Sequence, residues 1–230
     1  MPKLNIKGMI IPNDYKWYFD WFDMDSTCPR DVEKILNDAN GGEIEVYINS
    51  PGGVIESGSE IYSLLRDYKG AIKIYIMGEA CSAASVIAMA GYCEMSPTAL
   101  MMVHCVSTGA NGNHGVFEKT AAMLRTADEA LSNAYVAKSG MTKDEALKMM
   151  ENETWLTAEQ AKNKGLIDAV MFDSKEQTPF VASSFSLPSI EKMEQLRKMI
   201  NEQEPKNTDP VFLIQQKKAQ INLMRLKGDF

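Results

Sequence analysis

Short runs of strand character alternate with runs of helical spacing along most of this chain, and that alternation restricts its fold more than any other feature. Residues 3–11 alternate apolar and polar side chains, as a half-buried strand does. Val32, Ile35, Leu36 and Ala39 fall at helical spacing within 29–40, with Pro29 near the start and Gly41-Gly42 at the end. EIEVYI at 43–48 predicts a strand, with NSPGG after it. Ile55, Ile61, Tyr62, Leu64, Leu65 and Tyr68 predict a helix, and IKIYIM at 72–77 another strand. SAASVIAMAG, from Ser82, reads as a buried helix of small residues, and ALMMV at 99–103 as a short strand ending at His104. A Gly- and Asn-rich loop then leads to a long helix expected over 116–138. Thr142 with Glu145, and Thr157 with Gln160, have the spacing of capping boxes opening two short helices. LIDAVMF at 166–172 closes the sheet. Strands separated by helices predict an α/β domain with mostly parallel pairing.

Composition narrows the partners. At 45% hydrophobic and 24% charged the chain can bury a sizeable core. A net charge of -7 disfavours nucleic acid, whose phosphates need clustered cations. No apolar run approaches the roughly 18 residues of a membrane span, so no membrane partner is expected. MPKLNIKGMIIPND has no signal-peptide apolar core. The four cysteines, Cys28, Cys81, Cys93 and Cys105, show no CxxC spacing and read as reduced thiols in a cytoplasm. With two histidines and no paired thiols, no metal site is expected.

Near residue 174 the character changes. The domain is expected at 1–173, followed by a Ser- and Pro-rich linker at 174–189 and an amphipathic helical tail at 190–230. Residues 191–230 hold eight Lys/Arg and six Asp/Glu, a net +2, which leaves -9 on the remainder.

Three places can carry chemistry. A serine nucleophile at neutral pH needs a base, most often an imidazole, and only His104 and His114 are available. His104 ends an apolar strand, where a ring is held rigidly, or it is a structural histidine; His114 lies among Gly and Asn in an expected surface loop. Ser82 opens the small-residue helix, where free N–H groups and the positive dipole end favour an anion, or it merely caps that helix. Ser85 lies one turn on, and Cys81 is the chemical rival, either as a nucleophile or as a small buried hydrophobe. In NSPGG, Gly52 and Gly53 permit close approach of a substrate backbone and could aim N–H groups at a carbonyl oxygen, or they only make a turn.

The ordered series INSPGG (48–53), GEACSAAS (78–85), MMVH (101–104) and ETWLTAEQA (153–161) resembles the proteolytic subunit of the Clp protease, ClpP, over roughly residues 5–172. Gly53 to Ser82 spans 29 positions and His104 to Glu153 spans 49, both without insertion against the family pattern. The resemblance implies a ClpP/crotonase-like fold of repeated β-β-α units with a helical handle. It implies a serine endopeptidase with Ser82 as nucleophile, His104 as base and Glu153 as third member of the triad. Glu153 stands where the family usually has Asp, and can equally be a surface residue near a helix start. The oxyanion N–H groups fall on Gly53 and Ala83. Gly52, with Gly109 and Gly112 of the handle loop, would contact an extended peptide substrate. No cofactor is implied. A homo-oligomer is implied, with a ring as its expected form.

The finer resemblance is to ClpP-like proteases of tailed phages that process capsid, portal or scaffold proteins during head assembly. IKGMIIPND, SGSEIYSLL, ASVIAMAG and ETWLTAEQA carry it. The alternatives are a housekeeping ClpP working with an unfoldase, a crotonase-fold acyl-CoA enzyme, and a non-catalytic assembly protein.

Overall fold

The computed structural model describes residues 2–172; the linker expected at 174–189 and the tail at 190–230 lie outside the described residues. Four parallel strands form the centre: β1 (Lys3–Ile10), β3 (Ile44–Gly53), β4 (Ile72–Cys81) and β5 (Tyr92–Met95). Two-residue strands, β2 (Ser26–Thr27) and β8 (Ala169–Val170), edge them, in the order β2-β1-β3-β4-β5-β8. The register aligns Leu4 with Val46 and Val46 with Ile74, then Ile6 with Ile48 and Ile48 with Ile76. Because side chains alternate along a strand, these residues form rows on one face, and each is at most 2% exposed. Burying each is worth roughly 1.5–3 kcal/mol. Three helices pack with these rows in a single core: α2 (Pro29–Ala39), α3 (Ile55–Asp67) and α4 (Ala83–Ala88). Alternate residues carry Tyr47 stacked on Tyr75 at 5.2 Å, both half-buried.

β4 forks, and the fork positions the site. Its residues 73–76 pair with β5, while Glu79, Ala80 and Cys81 pair with β6 (Leu100–Val103). β6 in turn pairs antiparallel with β7 (Thr154–Thr157), Val103 opposite Thr154. The long α5 (His114–Ser139) and α6 (Lys143–Glu151) connect β6 to β7, and α7 (Ala158–Asn163) follows.

Several local expectations change. β3 does not stop before NSPGG but runs on to Gly53, pairing Met9 with Gly52 and Ile10 with Gly53. Pro51 cannot donate to a ladder, and Ser50 supplies bonds instead. Its hydroxyl donates to Gly8 O at 2.6 Å and accepts from Gly52 N–H at 3.1 Å. The small-residue helix ends at Ala88, and the chain turns into β5, which buries Cys93 and Met95 beside Ile74 and Ile76. His114 is the first residue of α5 rather than a loop residue, because Asn113 caps that helix by accepting Val116 N–H at 3.2 Å. A short helix, α1 (Lys16–Trp21), follows a 3-10 turn at Asn13–Tyr15. Lys16 ties it to β2 through Ser26 O at 3.0 Å and to α2 through Asp31 at 3.6 Å. No helix among the described residues is long and apolar enough to cross a membrane.

Candidate active site

Ser82 sits where β4 turns directly into α4, with φ 53° and ψ -126°. A serine at positive φ is strained by roughly 1–3 kcal/mol, and the surroundings must hold it there. They do so from three sides. Ser82 N–H donates to Met102 O on β6 at 2.9 Å. Ser82 O accepts from Ser85 N–H at 2.9 Å and from the Ser85 hydroxyl at 2.6 Å. On the third side Gly52, at φ 94°, lies so close that a Cβ there would stand 2.5 Å from Cys81 O and 2.7 Å from Ser82 Cβ. Only glycine permits that approach. The space into which a Cβ on Gly52 would project is therefore filled by the elbow of this chain.

The β4–β6 pairing brings His104 to the serine. Cys81 is opposite Met102, and two residues later the half-buried His104 places Nε2 2.8 Å from Ser82 Oγ. Nδ1 is then the nitrogen left for an orienting group. Glu153 lies beside it in register, since Thr154 faces Val103, but its side chain is exposed and makes no hydrogen bond or ion pair with His104 among the described residues. Glu153 adopts φ 45° in the turn that starts β7.

Gly53 and Ala83 flank Ser82 in one small cavity that Val86, His104, Leu131 and Tyr135 also line. Val54 N–H donates to Ile10 O, so the preceding N–H of Gly53 belongs to the other edge of the strand. Ala83 is the first residue of α4, and its N–H has no acceptor within that helix. Gly109 and Gly112 lie in the exposed loop before α5 and do not line the cavity.

The rivals are disposed of by their surroundings. Burial and then Glu79 push the Cys81 thiol up to about 12, so it stays protonated at neutral pH. Ser85 is fully buried, and its hydroxyl is committed to Ser82 O. Its other partner is Tyr135 OH at 2.8 Å. Since Ser85 has one proton and gives it to Ser82 O, Tyr135 donates to Ser85. Burial raises the Tyr135 phenol well above its usual range, which keeps that proton in place.

Two supporting residues escaped the sequence reading. Asp128 of α5 is 9% exposed and accepts Val106 N–H at 2.7 Å, two residues past His104. Tyr135 lies seven residues further along the same helix. Their spacing with Leu131 and Ser132 is the available signal: an acid and a tyrosine on a stripe otherwise apolar or small. Asp128 and burial together hold the Cys105 thiol up to about 11, burial contributing more.

A family model described as Clp protease matches residues 34–174. Among solved structures, a ClpP1 asparagine-to-aspartate mutant from Listeria monocytogenes is similar in fold, with TM-score 0.61 and 20% identity, covering 74% of this chain and 91% of that one.

Proposed function

This chain belongs to the Clp protease family of serine-type peptidases, and we propose that Ser82 is its nucleophile and His104 its general base. The observation that carries the assignment is the 2.8 Å contact between His104 Nε2 and Ser82 Oγ at a strained elbow. Nε2 takes the hydroxyl proton as Oγ attacks the scissile carbonyl carbon. The carbonyl oxygen becomes an oxyanion between the N–H groups of Gly53 and Ala83. Collapse of that intermediate breaks the C–N bond, and Nε2 returns the proton to the leaving amine. A water molecule, deprotonated by the same nitrogen, then releases the acyl group and restores Ser82. Glu153 serves as the third member in this proposal, which requires its carboxylate to turn from solvent toward Nδ1.

Members of the family form oligomeric rings that act on protein substrates, and a ring of this chain is part of the proposal. So is strand-wise binding of extended peptide along the loop holding Gly109 and Gly112. We place the natural substrate among phage capsid, portal or scaffold proteins, on the phage-like phrases of the sequence. Incubating the full chain with such proteins and finding none cleaved would remove that finer reading while leaving the peptidase.

The direct test of the site is a fluorophosphonate probe with mass spectrometry. The adduct should fall on Ser82, and Ser82→Ala should lose both label and turnover while keeping its fold. An adduct on Ser85 or Cys81 would refute the assignment.

A further inference from the structure

The carbonyl of Ser82 and the N–H of Ala83 are the two poles of one peptide group. That bond is trans, so the two poles point in opposite directions within one plane. Whatever holds the carbonyl therefore also aims the N–H. The Ala83 N–H has no acceptor within α4, and Ala83 lines the small cavity together with Ser82 and His104. At the opposite pole Ser85 holds the carbonyl twice, through its N–H at 2.9 Å and its hydroxyl at 2.6 Å.

The hydroxyl bond goes beyond what the turn requires. The Ser85 N–H already satisfies this carbonyl, and Val86 N–H approaches it at 3.4 Å. The Ser85 hydroxyl in turn accepts the phenol of Tyr135 at 2.8 Å, from α5, 50 residues along the chain. Ser85 is 0% exposed and Tyr135 is 2% exposed, so solvent does not compete for either bond. One directed chain results. It runs from the Tyr135 O–H to Ser85 Oγ, from the Ser85 O–H to Ser82 O, and across the peptide plane to the Ala83 N–H.

Two physical effects follow. A proton donated to an amide oxygen draws electron density toward that oxygen and leaves the N–H of the same amide a stronger donor. In such chains each bond strengthens the next by roughly 10–30%. The second effect is orientation. Turning the peptide plane would pull the carbonyl off a buried hydroxyl that has no replacement acceptor nearby, which is costly in a dry interior. The strained φ of 53° at Ser82 needs such an anchor.

We infer that Ser85 and Tyr135 are positioning residues for the oxyanion. Their hydrogen-bond chain fixes and polarises the Ser82–Ala83 peptide, so that the Ala83 N–H is aimed at the oxygen that becomes negative in the transition state. The inference rests on the roles proposed for Ser82 and Ala83.

The test compares full-length Tyr135→Phe, Ser85→Ala and the Ser85→Ala/Tyr135→Phe pair with the wild type. The pair is needed because Ser85→Ala alone strands a buried phenol, whereas removing both hydroxyls leaves no orphan and should be nearly neutral for the fold. Urea midpoints report the fold, and a small peptide ester reports kcat and KM. A peptide boronic acid reports the transition state, because its tetrahedral adduct with Ser82 Oγ places an oxygen at the oxyanion position. Removing an oxyanion donor outright costs about 10²–10³ in kcat; here the donor stays and loses its support, so kcat should fall about 3-fold in Tyr135→Phe and about 10-fold in the pair. KM should stay within about 2-fold, and affinity for the boronic acid should weaken in step with kcat/KM. Ser85→Thr, which keeps the hydroxyl, should retain more activity than Ser85→Ala. Losses confined to KM, or losses fully accounted for by the unfolded fraction, would overturn the inference. Wild-type kcat in the folded pair, with the fluorophosphonate adduct of the wild type on Ser82, would overturn this chain of bonds and leave the nucleophile standing. An adduct elsewhere would overturn the nucleophile and this inference with it.

Discussion

Gly58 offers a way to move the catalytic elbow without touching a catalytic group. It lies on α3, buried, with its N–H bonded to Val54 O at 3.0 Å, and a Cβ added there would stand 2.8 Å from the Cβ of Ala83. Carbon atoms rest at about 3.5–4.0 Å, so Gly58→Ala must part α3 from the start of α4 by about 0.7–1.2 Å. Ala83 N–H is the proposed oxyanion donor and Ser82 precedes it, so the displacement falls on the reacting groups. A misplacement of about 1 Å can cost about 10²-fold in rate. Stability should change far less. Overpacking costs about 1–3 kcal/mol, while alanine in place of glycine within a helix returns about 0.5–1 kcal/mol. The expected outcome is a folded protein with kcat/KM on a small peptide ester down about 10²-fold and fluorophosphonate labelling slowed to match. Gly58→Ala combined with Ala83→Gly removes the colliding methyl and should recover activity to within about 10-fold of the Ala83→Gly single variant. Wild-type turnover in folded Gly58→Ala, or no recovery in the pair, would refute the argument that this close approach sets the position of the oxyanion donor.

Three further outcomes are expected. His104→Ala should lower kcat by ~10⁴ or more, whereas His114→Ala, at the exposed first residue of α5, should stay near wild type; comparable losses would undo the choice of base. Glu153→Gln should lower kcat while Glu153→Asp retains part of it, read from the pH profile of kcat/KM; an unchanged profile in Glu153→Gln would show that this carboxylate does not serve the imidazole. Burial first of all raises the thiols of Cys81 and Cys93 to about 12 and that of Cys105 to about 11, against about 8.5 in an unfolded chain. The folded state therefore keeps protons that the unfolded state loses, so stability is complete below about pH 8.5 and falls as pH rises toward those values. Urea midpoints at pH 8 and pH 10 should show this loss, and Cys93→Ala should have the smaller pH slope; an equal slope would show that Cys93 ionises alike in both states.

Periodicity alone carried the sheet. Leu4, Ile6, Val46, Ile48, Ile74 and Ile76 announce their strands because a side chain that must leave water repeats every second residue, whatever lies beside it. Helix α2 announces itself through Pro29 and the Gly41-Gly42 stop, and α6 and α7 through capping boxes at Thr142 and Thr157, both of which form. β5 and β7 were hidden for a physical reason. Tyr92–Met95 is four residues of mixed polarity, and it is a strand only because Ile74 and Ile76 lie alongside. Trp155 and Leu156 form β7 because β6 is there to pair with them.

Ordered motifs made Ser82, His104, Gly53 and Ala83 candidates, and they belong to local turns whose residue types betray them. Their convergence is a matter of the forked β4, which sets Cys81 against Met102 and so brings residues 22 positions apart to 2.8 Å. Asp128 and Tyr135 were legible only as members of a helix. Their work depends on partners 22 and 50 residues away, Val106 and Ser85, and no local pattern encodes a contact at that separation. Gly52 shows the same division in one residue. A glycine beside a proline signals an unusual backbone, but that the elbow of β4 fills the space where a Cβ would project follows from the packing of β3 against β4, which only the folded chain contains.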